Sequence, residues 1–176
     1  MHGIVHQTLK DYVVDRTDEE AWEAVLDRAG IEPKLYLQVS RYPDEEVAAI
    51  LEALAAMSGH DPAVIERDFG RSLAPVLVQT FKAHVRPDRD PFEVLDSLET
   101  IYAELSTKDG TDPPTITCER DGDVAVVTYR SDRDHCAMAH GILEGLVDDL
   151  GADATVTETG CVHDGDERCR FRVERQ

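Results

Sequence analysis

Lysine is nearly missing from this sequence. Lys10, Lys34, Lys82 and Lys108 are its whole complement, and 18 basic residues face 37 acidic ones for a formal charge of −19. A surface of that sign repels nucleic acid and anionic membranes, which argues against binding to either. No apolar run approaches the roughly 20 residues of a membrane helix. The opening Met1-His-Gly-Ile-Val-His-Gln lacks the charged-then-apolar layout of a secretion signal, so a cytoplasmic location is expected. Phosphate loop, nucleophile elbow and motif-placed carboxylate pair are all missing, and no enzymatic activity is expected. Cysteine is sparse: four in a cytoplasmic chain point to a metal or redox site rather than a disulfide framework. Internal repeats and low-complexity segments are absent as well.

What is present is a normal apolar content, 41% of 176 residues, enough for one domain with a substantial core. Acidic, lysine-poor composition over such a core suits a cytoplasm full of salt, where the short Debye length damps self-repulsion, and implies an extreme halophile. Helical spacing places amphipathic helices over Ile4–Val14 and, behind a Thr17-Asp-Glu-Glu20 capping box, up to a left-handed cap at Gly30. Others start at Pro43-Asp44, at Asp61-Pro62 and at Asp90-Pro91, the last carrying Phe92, Leu95, Leu98, Tyr102 and Leu105 on one stripe. Ala74-Pro75 is expected to break or kink its helix, with Val76–Val85 as a continuation. From Ile116 the pattern alternates: a hairpin around Asp121-Gly122, a helix over Asp134–Leu150, then strands Ala154–Thr159 and Arg168–Glu174. The chain therefore reads as one α+β domain over 1–176, helical to about 110, then a β-β-α-β-β four-stranded, mainly antiparallel sheet.

One stretch carries the most chemistry. Along Val124-Ala-Val-Val-Thr-Tyr129-Arg-Ser131-Asp-Arg133, strand alternation puts Ala125, Val127, Tyr129, Ser131 and Arg133 on one face, which begins apolar and ends in three donors. A phenol, a hydroxyl and a guanidinium in a row suit an apolar ligand bearing carboxylates, since arginine takes a carboxylate bidentately and hydroxyls satisfy the remaining oxygens. The alternative is a strand that runs out into solvent.

Three stretches, Met1-His-Gly-Ile-Val, Leu98-Glu-Thr-Ile-Tyr102 followed by Pro113-Pro114, and Tyr129-Arg-Ser-Asp-Arg133, together resemble the haem nitric oxide/oxygen-binding (H-NOX) sensor domains, over nearly the whole chain. The resemblance implies that Tyr129, Ser131 and Arg133 form the Tyr-x-Ser-x-Arg grip on the haem propionates. It further implies that Val5, Pro114, Met138 and Ile142 line the haem pocket. The chain departs from the family where a proximal histidine is expected, since the aligned residue is Tyr102. Phenolate prefers ferric iron and, with an unperturbed pKa of about 10, must lose its proton to the metal or a nearby cation; the alternative is a tyrosine that only fills space. Met138 stands near the distal position, where oxygen binders carry a tyrosine donor, so stable oxygen binding is not expected. A thioether can ligate iron, but methionine on an apolar helix face is more often core.

His2 and His6, four apart on the first helix, can share a metal. His60, His84 and His140 have no partner spacing. Cys136, Cys161 and Cys169 can meet around the last hairpin, while Cys118 looks separate. Some family members bind zinc there with four cysteines, and Glu158 stands at the fourth aligned position. Glu158, His163 or His135 can each complete a tetrahedral zinc site; the alternative is three small buried hydrophobes. The expected function is a stand-alone, non-enzymatic sensor that binds haem or a related carboxylate-bearing apolar ligand, responds to a small molecule or gas and reports to a separate signalling protein. The alternative is a haem-independent thiol or zinc redox sensor on the same fold.

Overall fold

The computed structural model describes residues 1–83, 89–109 and 114–176, with the backbone alone for 104–109. Helices lead: α1 (Gly3–Arg16), α2 (Glu19–Ala29), α3 (Asp44–Ser58), α4 (Pro62–Thr80) and α5 (Pro91–Asp109). Strands β1 (Thr115–Asp121) and β2 (Val124–Arg130), helix α6 (Cys136–Asp149), and strands β3 (Ala154–Gly160) and β4 (Cys169–Arg175) follow. The sheet has the order β1-β2-β4-β3 with every neighbouring pair antiparallel, so the α+β class read from the sequence holds. The expected positions of Val85, His84, Pro113 and the Leu105 side chain lie outside the described residues.

Local chemistry moves three expected features. The N-cap of α2 is Asp18, whose Oδ1 accepts from Ala21 N at 2.8 Å, and not Thr17. Thr17 instead closes α1, where its hydroxyl donates to Val13 O at 2.6 Å and its own N–H bonds the same carbonyl. Carboxylate is at least as good a cap as threonine, and it leaves Thr17 to the preceding helix. Pro75 does not break α4, which runs unbroken from Pro62 to Thr80. Proline removes the donor that Arg71 O would have used; α6 packs against this turn, where a Cβ on Gly145 would stand only 2.6 Å from that oxygen. Finally, β2 stops at Arg130, so Ser131–Arg133 lie in a turn and do not continue the strand alternation.

The interior is divided. One core joins α5 and the sheet to Leu143, Leu146 and Val147 of α6, and includes Phe92, Leu95, Val127 and Phe171. The other gathers α1 to α4 around Leu9, Trp22, Ile50, Phe69 and Leu73, with Met138 of α6. The most extensive contact between helices is that of α4 with α6. It is a seam of glycine: a Cβ on Gly141 would collide with Arg67 O, and one on Gly70 with Met138 O. Arg67 and Arg71 then bracket Glu144 across the seam, with Nε–Oε2 distances of 2.8 Å from both. Burial alone would raise the Glu144 pKa, but these two guanidiniums outweigh it and hold the carboxyl at about 2.

Candidate ligand pocket and cysteine cluster

A cavity of about 340 Å³ lies between the two cores. That is within the range of small-molecule and cofactor sites. Its wall is apolar over most of its extent, with Leu73, Leu77, Val78 and Phe81 from α4 and the turn after it, Val94, Leu98 and Ile101 from α5, and Ile142, Leu143 and Leu146 from α6. Val127 and Phe171 contribute from the sheet, and Val5 and Pro114 line it as well. Helical spacing explains the α5 wall: Val94, Leu98, Ile101 and Tyr102 recur at three and four residues and so share a face.

The polar groups converge. Arg133 lines the cavity and pairs through Nε with Asp44, which also holds the Met1 ammonium; Met1, His2 and Arg41 are themselves wall residues. His2 and Arg41 are joined by a backbone bridge, so these groups form one connected rim. The bonds from the ammonium and Arg133 overcome the effect of burial and depress the Asp44 pKa. Tyr129 lines the same cavity, and burial pushes its phenol up to about 12 against a lowering hydrogen bond with Ser131. Tyr129 is thus a neutral O–H donor. Ser131 is not a wall residue; its Oγ accepts from Arg133 N at 3.2 Å. It supports the other two members of the motif.

Tyr102 and Met138 both reach the cavity, Tyr102 half-buried on α5 and Met138 buried on α6. Burial raises the Tyr102 pKa. His135 is a further wall residue, and its Nδ1 lies 2.6 Å from Glu66 Oε1 of α4.

The cysteines separate as three and one. Cys136, Cys161 and Cys169 are buried with their sulfurs within 4.8 Å of one another. Cys169 Sγ lies 2.8 Å from Cys136 Sγ and 3.7 Å from Cys161 Sγ. Burial and the neighbouring thiols raise the Cys136 pKa, and burial pushes Cys161 up to about 11. Glu158, exposed on β3, lies near enough to help raise the Cys161 pKa, but neither it nor His163 joins the sulfur cluster among the described residues. His163 is exposed and sits 3.4 Å from the carbonyl of Asp134. Cys118 lies apart, half-buried on β1 beside Asp96. His2 and His6 fall in no potential metal group among the described residues: His2 Nδ1 caps α1, and His6 is fully buried between Tyr36 and Tyr42.

The family model described as Haem-NO-binding, HNOB, matches residues 2–158. The chain belongs to this family. H-NOX structures also share its fold. One from S. oneidensis, in the Fe(II)NO ligation state, superimposes with a TM-score of 0.91 at 21% identity, covering 100% of this chain and 99% of that one. A mutant of the T. tengcongensis H-NOX gives 0.88 at 20% identity, with 100% and 98% covered. An oxygen-binding H-NOX domain related to soluble guanylate cyclases, in its oxygen complex, gives 0.83 at 20%, with 100% and 95% covered. A search of curated protein sequences gave no match.

The residues of this HNOB domain fit haem. An apolar cavity suits the macrocycle, the Arg133 and Tyr129 donors suit its carboxylates, and Tyr102 offers an oxygen ligand that favours ferric iron. Beyond the rim of Asp44, Arg41 and the Met1 ammonium, sequence reasoning missed two parts of the site. The Gly141-x3-Gly145 spacing, a small-residue signal for close helix contact, marks the seam that sets the pocket wall. The Glu66–His135 pair, 69 residues apart, leaves no local signal at all.

Proposed function

We propose that this HNOB domain is a sensor unit that binds haem, or a related apolar dicarboxylate, in the cavity between its two cores and signals to a separate protein. The observation that carries this reading is the placement of Tyr129 and Arg133 where an otherwise apolar cavity meets a cationic rim, in a protein whose composition is overwhelmingly acidic. Such a cavity selects ligands with an apolar body and an anionic edge. Bound haem would supply a metal centre whose occupancy by a small gas or anion is the input.

The chain's own residues do the rest. Arg133 exchanges Asp44 for a ligand carboxylate, Tyr129 donates its phenolic proton in a hydrogen bond, and Ser131 keeps both in place. Met138 presents a thioether where a hydroxyl would stabilise bound oxygen, which favours other inputs. Charge-assisted bonds of this kind are worth about 1.5–3 kcal/mol. Arg133→Ala is therefore expected to weaken haemin retention about tenfold or more, read as the rate of transfer to an apo-globin acceptor. Equal retention in the two proteins would remove the assignment.

A second reading is favoured by the cysteine cluster. Three buried sulfurs within 4.8 Å of one another are the beginning of a tetrahedral zinc site, with Glu158 beside Cys161 as the available fourth donor. On this reading the domain senses oxidants: thiolates release zinc as they become disulfide or sulfenic acid. Elemental analysis decides it. About one zinc per chain, lost on peroxide treatment, is the expected result; metal-free reduced protein of full stability would leave Cys136, Cys161 and Cys169 as core.

A further inference from the structure

We propose that His135, held by Glu66, is a nitrogen ligand that this pocket offers to haem iron from the start of α6, in addition to the phenol of Tyr102 on α5. The proposal rests on the haem reading above and names a donor outside the carboxylate grip.

Four observations carry it. His135 lines the cavity together with Met138, one turn further along the same helix. Its side chain is 12% exposed and that of Glu66 16%, so the pair is withdrawn from solvent, unlike the screened ion pairs of the surface. Although His135 occupies the N-cap position of α6, its side chain makes no capping hydrogen bond, so helix closure does not account for it. And the Nδ1–Oε1 contact of 2.6 Å leaves Nε2 with no hydrogen bond among the described residues.

The chemistry follows from the tautomer. A carboxylate facing Nδ1 fixes the proton there, orients the ring, and leaves the Nε2 lone pair available to a metal while raising its basicity. This carboxylate–histidine pairing is the usual support of a metal-bound imidazole. A packing role for His135 requires no such partner. The two residues come from α4 and the start of α6, which the glycine seam holds in fixed register, so the ring is preorganised before any ligand enters.

Haemin uptake is measured first, by titration of the Soret band, and electron paramagnetic resonance of the ferric complex then reports the ligands. Wild type is expected to show a low-spin ferric signal that His135→Ala converts to high-spin. His135→Gly should regain the low-spin signal when imidazole is added, which separates a missing ligand from a damaged pocket. Glu66→Gln should keep the low-spin signal and move the ferric/ferrous midpoint to a more positive potential, because the ligand becomes less basic. A high-spin wild type, or a signal identical in His135→Ala, overturns this ligation and leaves haem binding standing. A wild type that takes up no haemin overturns both.

Discussion

Tyr102→Phe, loaded with ferric haem, is expected to lose the phenolate-to-iron charge-transfer band completely while still taking up the ligand. Tyr102 follows Leu98 by four residues on the cavity face of α5 and is a wall residue, so removing one oxygen leaves packing almost unchanged. Burial raises the phenol pKa, so Tyr102 is a neutral O–H before it ligates iron. Ligation must expel that proton, and a ligand whose binding releases one proton is bound about tenfold more tightly for each unit rise in pH. The sign is therefore fixed: affinity for ferric haem should climb with pH in the wild type and climb less in Tyr102→Phe. After reduction with dithionite, Tyr102→His should shift the spectrum toward that of imidazole-ligated ferrous haem, since neutral nitrogen supports the lower oxidation state. Absorption and resonance Raman spectra of the three proteins check this. A band that survives in the phenylalanine variant would reduce Tyr102 to a space-filling residue.

Gly141→Val should be the most damaging single substitution in the helical seam, costing about 4 kcal/mol or more. Its first side-chain carbon would be driven into the carbonyl of Arg67, which is helix backbone and cannot swing aside. Relief requires α4 and α6 to separate, which strands Met138 and Ile142 and pulls Arg67 and Arg71 away from Glu144. Against a total stability of about 5–15 kcal/mol, that loss leaves little margin. Urea unfolding gives the result directly: a midpoint moved far below that of the wild type is expected, whereas a change within about 1 kcal/mol would show that the helices adjust freely.

Helix starts at Pro62 and Pro91, the left-handed cap at Gly30 and the Asp121-Gly122 turn are all legible in the sequence, because each depends on chemistry within a few residues. Tyr129 and Arg133 are legible as a motif, but the roles within it are not. Strand alternation assigns three donors to one face, whereas the chain turns after Arg130 and leaves Ser131 off the cavity wall, beside Tyr129 and Arg133. That Arg133 meets Asp44 depends on two segments 89 residues apart, and no spacing rule reaches that far. Pro75 misleads for a different reason: a helix packed firmly on a neighbour tolerates one missing hydrogen bond that an isolated helix would not. The three cysteines can be grouped from the sequence because strand ends and a helix start constrain them. Of the expected fourth donors, Glu158 lies near Cys161 without joining the sulfur cluster, His163 turns to the carbonyl of Asp134, and His135 pairs with Glu66 at the cavity wall.

The division of the interior leaves one helix shared between its two halves. Helix α6 belongs to both cores, giving Met138 to one and Leu143 and Leu146 to the other, and its glycines set it so close to α4 that a larger side chain there is felt in both halves at once.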